Sequence, residues 1–91
     1  MDYTLRGARL VDAERDLPEG ALAVAGGRIR AVGTVRATNG RTIDARGLLV
    51  TPGFIDVHTH GGGGCNLHTV LVEEILTYAR WVPSTGVTAF L

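Results

Sequence analysis

The 91-residue sequence contains no lysine, one cysteine and few aromatic side chains. A single cysteine excludes a disulfide within the chain, so the fold must be stable without one. Nine arginines balance nine acidic residues, which gives a formal net charge of zero. Because nucleic acids and anionic membranes attract basic surfaces, this balance predicts neither of them as a partner and favours a small molecule.

Long hydrophobic runs are also missing. No apolar stretch approaches the roughly 20 residues that a helix needs to cross a bilayer. The first residues lack the charged region and the following apolar run that mark a secretory signal. We therefore expect a cytoplasmic protein.

The most informative segment is Thr51–Asn66, with the sequence TPGFIDVHTHGGGGCN. A Pro-Gly pair marks its start, and Phe54–His60 then alternates between side-chain types as a strand does. The run Gly61–Gly64 is too flexible to continue that strand. The pattern predicts a strand over Phe54–His60 that ends at two histidines.

His58 and His60 would project from the same face of such a strand, with Cα atoms roughly 6.5–7 Å apart. Two imidazoles at that spacing can converge on one divalent metal at about 2.0–2.1 Å. Asp56 shares this face, and we expect it to orient a histidine or a neighbouring strand rather than to bind metal. The alternative is a chance pair on a solvated strand, but the surrounding signals favour a metal site.

The opposite face of the strand carries Ile55, Val57 and Thr59. Two of these side chains are apolar and all three are β-branched, which suits a strand packed against helices on its outer side. The polar face would then look into a cavity.

The glycine run Gly61–Gly64 lets the main chain approach a ligand closely, so its amides are candidates to line a substrate pocket. A flexible connection without a ligand is the equal alternative. Cys65 and His68 match no structural zinc spacing. We expect a buried Cys65 and a surface position for His68 near the start of a helix.

The segment 69–91 predicts a helix followed by a strand. Leu71, Ile75, Ala79 and Val82 form a helical stripe over Thr69–Val82, and Trp81 is expected to serve packing. Thr69 or Asn66 could cap the start of the helix, and the acidic Glu73-Glu74 pair suits its positive end. Pro83 and Gly86 are expected to end the helix. Val87–Leu91 is apolar and short, as in a buried parallel strand, so that a right-handed βαβ unit results.

Residues 1–50 predict a small β-sheet module. Its elements are a strand Tyr3–Val11 with a bulge at Gly7, a loop Asp12–Gly20, a hairpin of Ala21–Ala25 and Arg28–Val32 about Gly26-Gly27, a loop Thr34–Gly40 with a turn at Asn39-Gly40, and strands Thr42–Asp44 and Leu48–Val50. In the second arm of the hairpin, Ile29 and Val32 depart from a period of two, which predicts a twist or a bulge.

Three of these segments resemble the amidohydrolase superfamily of metal-dependent hydrolases. PGFIDVHTH is similar to the superfamily's first barrel strand, and GGRIRAVG (26–33), IDARGLLVTPGFIDVHTH (43–60) and TGVTAFL (85–91) extend the resemblance over nearly the whole chain. Within the superfamily, HGGGG followed by a helix and GVTAFL is most similar to N-acetylglucosamine-6-phosphate deacetylases. Asn66 departs from that pattern, in which an Asp commonly follows the glycines.

The resemblance implies a fold of two parts: a β-rich N-terminal module, a partial β-sandwich, over residues 1–50, and the first βαβ unit of a (β/α)8 TIM-type barrel over residues 51–91. Because such a barrel needs about 250 residues, we expect this chain to be a fragment. The metal ligands implied are His58 and His60, with Asp56 behind them and the substrate loop formed by Gly61, Gly62, Gly63, Gly64 and Asn66. No catalytic residue is implied within the chain, and a bridging Lys or Glu and a catalytic Asp would lie after Leu91.

The activity implied is the metal-dependent removal of acetate from N-acetylglucosamine 6-phosphate, an amino-sugar phosphate. Zinc is the expected metal, with iron or another divalent ion as alternatives, and a homo-oligomer is expected. Other activities of the superfamily remain open: a cyclic amidase, an N-acyl amino acid deacylase or a dipeptidase. A different alternative is that the chain alone is an inert, self-associating piece, because its barrel strand would carry unpaired edges and an apolar face.

Overall fold

A computed structural model describes residues 1–36 and 40–91. The turn predicted at Asn39-Gly40 therefore depends on a residue outside the described ones. The chain divides into two compact units, Met1–Pro52 and Gly53–Leu91. The sequence predicts the boundary between residues 50 and 51.

Within residues 1–36 and 40–91, the first unit contains five strands, and the second contains four short strands, an α-helix and a 3-10 helix. The first five are β1 (Tyr3–Val11), β2 (Asp16–Ala25), β3 (Arg28–Gly33), β4 (Arg41–Asp44) and β5 (Leu49–Val50). The second unit comprises β6 (Phe54–Asp56), β7 (Gly61–Gly62), β8 (Cys65–Asn66), the helix α1 (Val72–Trp81), a 3-10 helix (Val82–Thr85) and β9 (Val87–Phe90). Across residues 1–36 and 40–91, no helix has the length and apolar character needed to cross a membrane.

β1 is the central strand of the first unit. It pairs with β2 in antiparallel fashion on one side, and with β4 and then β5 in parallel on the other. The strand order is β3-β2-β1-β4, with β5 also on β1. Between the two parallel partners, the main chain stays hydrogen-bonded through Ala45 N–H to Arg6 O at 2.8 Å and Arg9 N–H to Leu48 O at 3.0 Å.

The irregular positions predicted in the sheet are confirmed. Gly7 has φ +84° and coincides with a shift of register in β1, where a Cβ would lie 2.6 Å from Arg46 Cγ. Gly26 and Gly27 have φ of +59° and +71° and form the two-residue turn between β2 and β3. Both values suit the type I′ turn that follows the twist of paired strands. Arg30 is the extra residue in the second arm, because Ala31 and Ile29 face consecutive residues of β2.

The predicted loop Asp12–Gly20 is wrong over its second half, because β2 already begins at Asp16. The turn needs only a few residues, since Asp12 Oδ1 accepts the N–H groups of Glu14 and Arg15 at 2.8 and 2.7 Å. The Glu14 amide is the main reason that the pKa of Asp12 lies below its usual value. Pro18 is tolerated because it lies in a second register shift of this pair, where a strand can lack an N–H donor.

The core of the first unit contains one small cluster of buried side chains. Its fully buried members are Ala8, Leu10 and Ala45, and the partly buried side chains packed around them are Leu5, Leu17, Leu22, Val32 and Val50. Most of these residues come from β1 and β2. Burial of this cluster is the main favourable term that holds the sheet together.

In the second unit, β6 and β9 pair in parallel and α1 lies between them in sequence. The helix starts at Val72, so the start predicted at Thr69 is wrong. Thr69 Oγ1 instead accepts the N–H of Leu71 at 3.1 Å in the turn before the helix. This local bond competes with capping.

The predicted acidic first turn and the predicted end of the helical segment are confirmed. Glu73 and Glu74 lie in the first turn as expected, and Gly86, with φ +89°, ends the 3-10 turn that begins with Val82 and Pro83. The buried side chains are Tyr78 and Val82. Of the predicted stripe, Leu71 and Ile75 are 56% and 38% exposed, because the contacts of this unit fall on the C-terminal half of the helix.

Leu10→Ala should destabilise the first unit by about 2–5 kcal/mol, since it removes a side chain that is 4% exposed from a small core. Leu49→Ala is the matched control, because Leu49 is 61% exposed on the neighbouring β5. Urea denaturation followed by circular dichroism measures both. Equal losses of stability would contradict the assigned core.

Candidate metal centre

The candidate site begins where β6 ends. The strand stops at Asp56, so the prediction of an uninterrupted strand to His60 is wrong. Pairing with the end of the chain nevertheless continues, since Leu91 N–H donates to Asp56 O at 2.9 Å and Thr59 N–H donates to Leu91 O at 3.3 Å. A regular parallel ladder would use the N–H of residue 58, so the segment contains one extra residue, as in a β-bulge.

Asp56 stabilises this irregular segment. Its Oδ1 accepts the main-chain N–H of His58 at 3.2 Å, which closes a short turn directly after the strand. The carboxylate therefore contacts the backbone that carries His58. Such side-chain bonds to a nearby amide are a common way for Asp to end a regular element.

The imidazole rings of His58 and His60 lie together despite the bulge. Their centroids are 4.9 Å apart, and the ring planes are inclined by 64°. Both residues are exposed. Two imidazoles bound to one tetrahedral ion at the usual distance of about 2.0–2.1 Å place their ring centres about 5 Å apart. The spacing of the pair thus fits two nitrogen ligands of one divalent ion.

Two ligands do not complete a metal site, which takes three or four from the protein. In the part of the chain that the structure describes, no group of three His, Cys, Asp or Glu side chains is arranged to hold an ion. Further ligands would have to come from other groups.

The glycine run forms a two-stranded hairpin, which the sequence did not predict. β7 and β8 pair through Gly61 with Asn66 and Gly62 with Cys65. Gly63 and Gly64 form the turn with φ of +57° and +83°. These values correspond to a two-residue type I′ turn, which glycine adopts without strain.

Trp81 explains why the first half of this turn must be glycine. A Cβ on Gly63 would lie 2.3 Å from Cδ2 of the indole, and one on Gly62 would lie 3.0 Å from its Cζ3. A Cβ on Gly64 would meet nothing within 4 Å. Trp81 therefore packs on the hairpin, as the sequence predicted.

The remaining polar residues of this region lie beside the histidine pair in sequence but serve local turns. Asn66 Oδ1 accepts the N–H of His68 at 2.9 Å. His68 is exposed in the segment before α1, as predicted. Cys65 is half-buried rather than buried, because it lies in the two-stranded hairpin.

Sequence reasoning missed the contact between Thr59 and Tyr78. Thr59 Oγ1 accepts the N–H of Gly61 at 3.1 Å and lies 3.4 Å from the hydroxyl oxygen of Tyr78. Tyr78 is 2% exposed. The signals were present, since the alternation placed Thr59 on the helix-facing side of the strand. Its hydroxyl alone could not reveal which helical residue it meets.

Gly63→Ala should displace the indole and move the fluorescence emission of Trp81, the single tryptophan, to longer wavelength. Gly64→Ala is the matched control, because it imposes the same left-handed conformation, costing about 1–2 kcal/mol, without meeting the ring. Emission spectra of both variants test the assignment. An equal shift in both would mean that backbone strain, and not contact with the ring, requires glycine at position 63.

The sequence and the fold of this chain are similar to those of known proteins. The model of an amidohydrolase family matches residues 41–78, which include both histidines. The N-acyl-D-aspartate deacylase of Alcaligenes xylosoxydans xylosoxydans is 42% identical over 76 residues, covering 81% of this chain and 15% of the relative. The dihydroorotase of Bacillus subtilis is 38% identical over 61 residues, covering 66% of this chain and 14% of the relative.

The solved structures include N-acetylglucosamine-6-phosphate deacetylase from Pasteurella multocida, which matches with a TM-score of 0.88 and 29% identity. The match covers 100% of this chain and 25% of that one. The chain thus spans about a seventh of the length of the curated relatives named above. On the family match and the structural likeness together, the chain belongs to the amidohydrolase superfamily.

Proposed function

We propose that this chain supplies two of the metal ligands, His58 and His60, of a metal-dependent hydrolase that cleaves an amide bond. The observation that carries the proposal is the 4.9 Å separation of the two ring centroids at the end of β6. The family match over residues 41–78 supports it, because that range contains the whole strand end and its histidines.

The chemistry follows from the donor set. When bound, a divalent metal activates water at neutral pH and polarises the carbonyl of the substrate. Neutral imidazole nitrogens of His58 and His60 would hold this ion, and zinc is the ion that suits them, with iron or another divalent ion as alternatives. Asp56 holds the main chain of His58 in place for this role.

The substrate that we propose is N-acetylglucosamine 6-phosphate, from which the whole protein would release acetate. Support comes from the structural likeness to the Pasteurella deacetylase, which covers the entire chain. The curated relatives are named for two other activities, a deacylase and a dihydroorotase. The alternative is therefore another amide or cyclic amide, since the fold alone does not determine the substrate.

We further propose that residues 51–91 begin a (β/α)8 barrel and that residues 1–50 form its β-rich leader. The parallel pairing of β6 with β9 around α1 supports this assignment. So do Ile55 and Val57, which are 68% and 72% exposed on the face that the helices of a barrel would cover. In this arrangement, the amides of Gly61–Gly64 and the side chain of Asn66 would line the substrate pocket.

Self-association is the second candidate for the chain by itself. The exposed apolar side chains of β6 and of Val57 after it favour self-association, because an uncovered apolar strand tends to pair with another copy. Sedimentation of the 91-residue chain tests self-association, since a stable monomer would count against it.

Removing either histidine should abolish binding of a divalent cation to the 91-residue chain. We expect weak binding of Co²⁺ by the wild type, because two ligands are fewer than a closed site provides. His58→Ala and His60→Ala should each lose it, and His68→Ala is the matched control because that exposed imidazole lies outside the pair. Visible absorption of bound Co²⁺ measures the affinity, and a loss confined to His68→Ala would refute the assignment.

In the natural full-length protein, His58→Ala and His60→Ala should reduce kcat/KM by more than about 100-fold, which exceeds the 10–100-fold typical of a residue behind a ligand. N-acetylglucosamine 6-phosphate, dihydroorotate and an N-acyl-D-aspartate should be assayed side by side. Turnover of the first alone would support the deacetylase assignment. Preference for either of the others would replace the substrate but keep the metal-dependent reaction.

A further inference from the structure

The hydroxyl groups of Thr59 and Tyr78, here called the hydroxyl pair, form a link between the histidine segment and α1. Thr59 Oγ1 accepts the N–H of Gly61 at 3.1 Å and lies 3.4 Å from the hydroxyl oxygen of Tyr78. It also lies 3.5 Å from the carbonyl oxygen of Gly61, to which it can donate. A threonine hydroxyl donates once and accepts twice, so these three contacts account for its full capacity.

The side chain of Tyr78 is buried and packed between other rings. Its side chain is 2% exposed, and its ring meets the ring of Phe90 edge-on at 4.8 Å. The ring of Trp81 lies 5.8 Å away on the same helix. Because the ring is held on two sides, its hydroxyl stays at one position relative to β9 and the glycine hairpin.

Thr59 stands between the two histidines, and its main chain is fixed as well. Its N–H donates to Leu91 O at 3.3 Å. On the far side of His60, the carbonyl oxygen of that residue accepts the N–H of Leu67 at 2.8 Å. Main-chain hydrogen bonds therefore hold the segment at Thr59 and at His60, although both imidazole rings are exposed.

We propose that Thr59, supported by Tyr78, is a positioning residue that sets the spacing of the His58 and His60 rings for a divalent cation. The inference rests on the proposed metal role of the two histidines. The bulge after Asp56 has removed the regular strand that would otherwise fix this spacing, and the Thr59 hydroxyl replaces it. Its loss would let the segment relax and would add an ordering cost to ion binding.

The test is a titration of the metal-free chain with Co²⁺, followed by visible absorption. Thr59→Val, which keeps the shape and removes the hydroxyl, should weaken binding about tenfold, the lower end of the effect of groups behind metal ligands. Thr59→Ser should restore affinity to within about twofold, since it keeps the hydroxyl. Tyr78→Phe should weaken binding in the same direction by less, because it removes only the longer contact.

The matched control is Thr69→Val. Thr69 Oγ1 also accepts an N–H two residues further on at 3.1 Å, but in the turn before α1. This variant should bind Co²⁺ as the wild type does. Trp81 emission shows whether each variant remains folded, and if Thr59→Val unfolds, the comparison of Tyr78→Phe with the wild type decides.

The outcomes separate this inference from the function on which it rests. If His58→Ala and His60→Ala lose Co²⁺ but a folded Thr59→Val binds like the wild type, the positioning role is refuted and the metal role stands. If the histidine variants bind Co²⁺ as the wild type does, both are refuted. Equal weakening in Thr59→Val and Thr69→Val would also refute the inference, because it would show a general effect on stability.

Discussion

The second unit depends on one constraint: beyond the parallel pairing of β6 with β9, the bonds of Asp56 and Thr59 to Leu91 leave one extra residue in the segment that carries His58. The bonds between Asp56, Thr59 and Leu91 keep the segment against the sheet while breaking its alternation. A bulge turns side chains in directions that a flat strand cannot offer, and it often stands next to a functional group. Here it leaves two imidazoles side by side at the end of the pairing.

Around this bulge, each neighbouring element contributes a contact that limits movement. The glycine hairpin packs against the ring of Trp81. Tyr78 contacts the hydroxyl of Thr59 and the ring of Phe90. None of these contacts involves a charged group. These contacts therefore act through shape and neutral hydrogen bonds, which salt screens little, and the Asp56 carboxylate adds its bond to the His58 N–H.

Much of this arrangement could be predicted from sequence because its signals are local. The turn at Gly26-Gly27, the bulge at Gly7 and the end of the helix at Gly86 all follow from the conformations that glycine permits. The His58 and His60 pair was predicted from its spacing together with the Pro-Gly start, the apolar face and the glycine run around it. Three features could not be predicted, because each depends on contacts between distant residues. They are the extra residue between Asp56 and Thr59, seen in their bonds to Leu91, the packing of the glycine hairpin against Trp81, and the partner of the Thr59 hydroxyl.

The topology of the first sheet has a consequence for synthesis on the ribosome. β1 emerges first and soon pairs with β2 on one side, but its other side is filled only by β4 and β5. At the usual translation rate of about 5–20 residues per second, the open edge of β1 waits roughly 2–8 s for these partners. During that interval its unpaired main chain can join a strand of another nascent chain. Crowded polysomes would thus be the setting in which this protein is most exposed to misassembly.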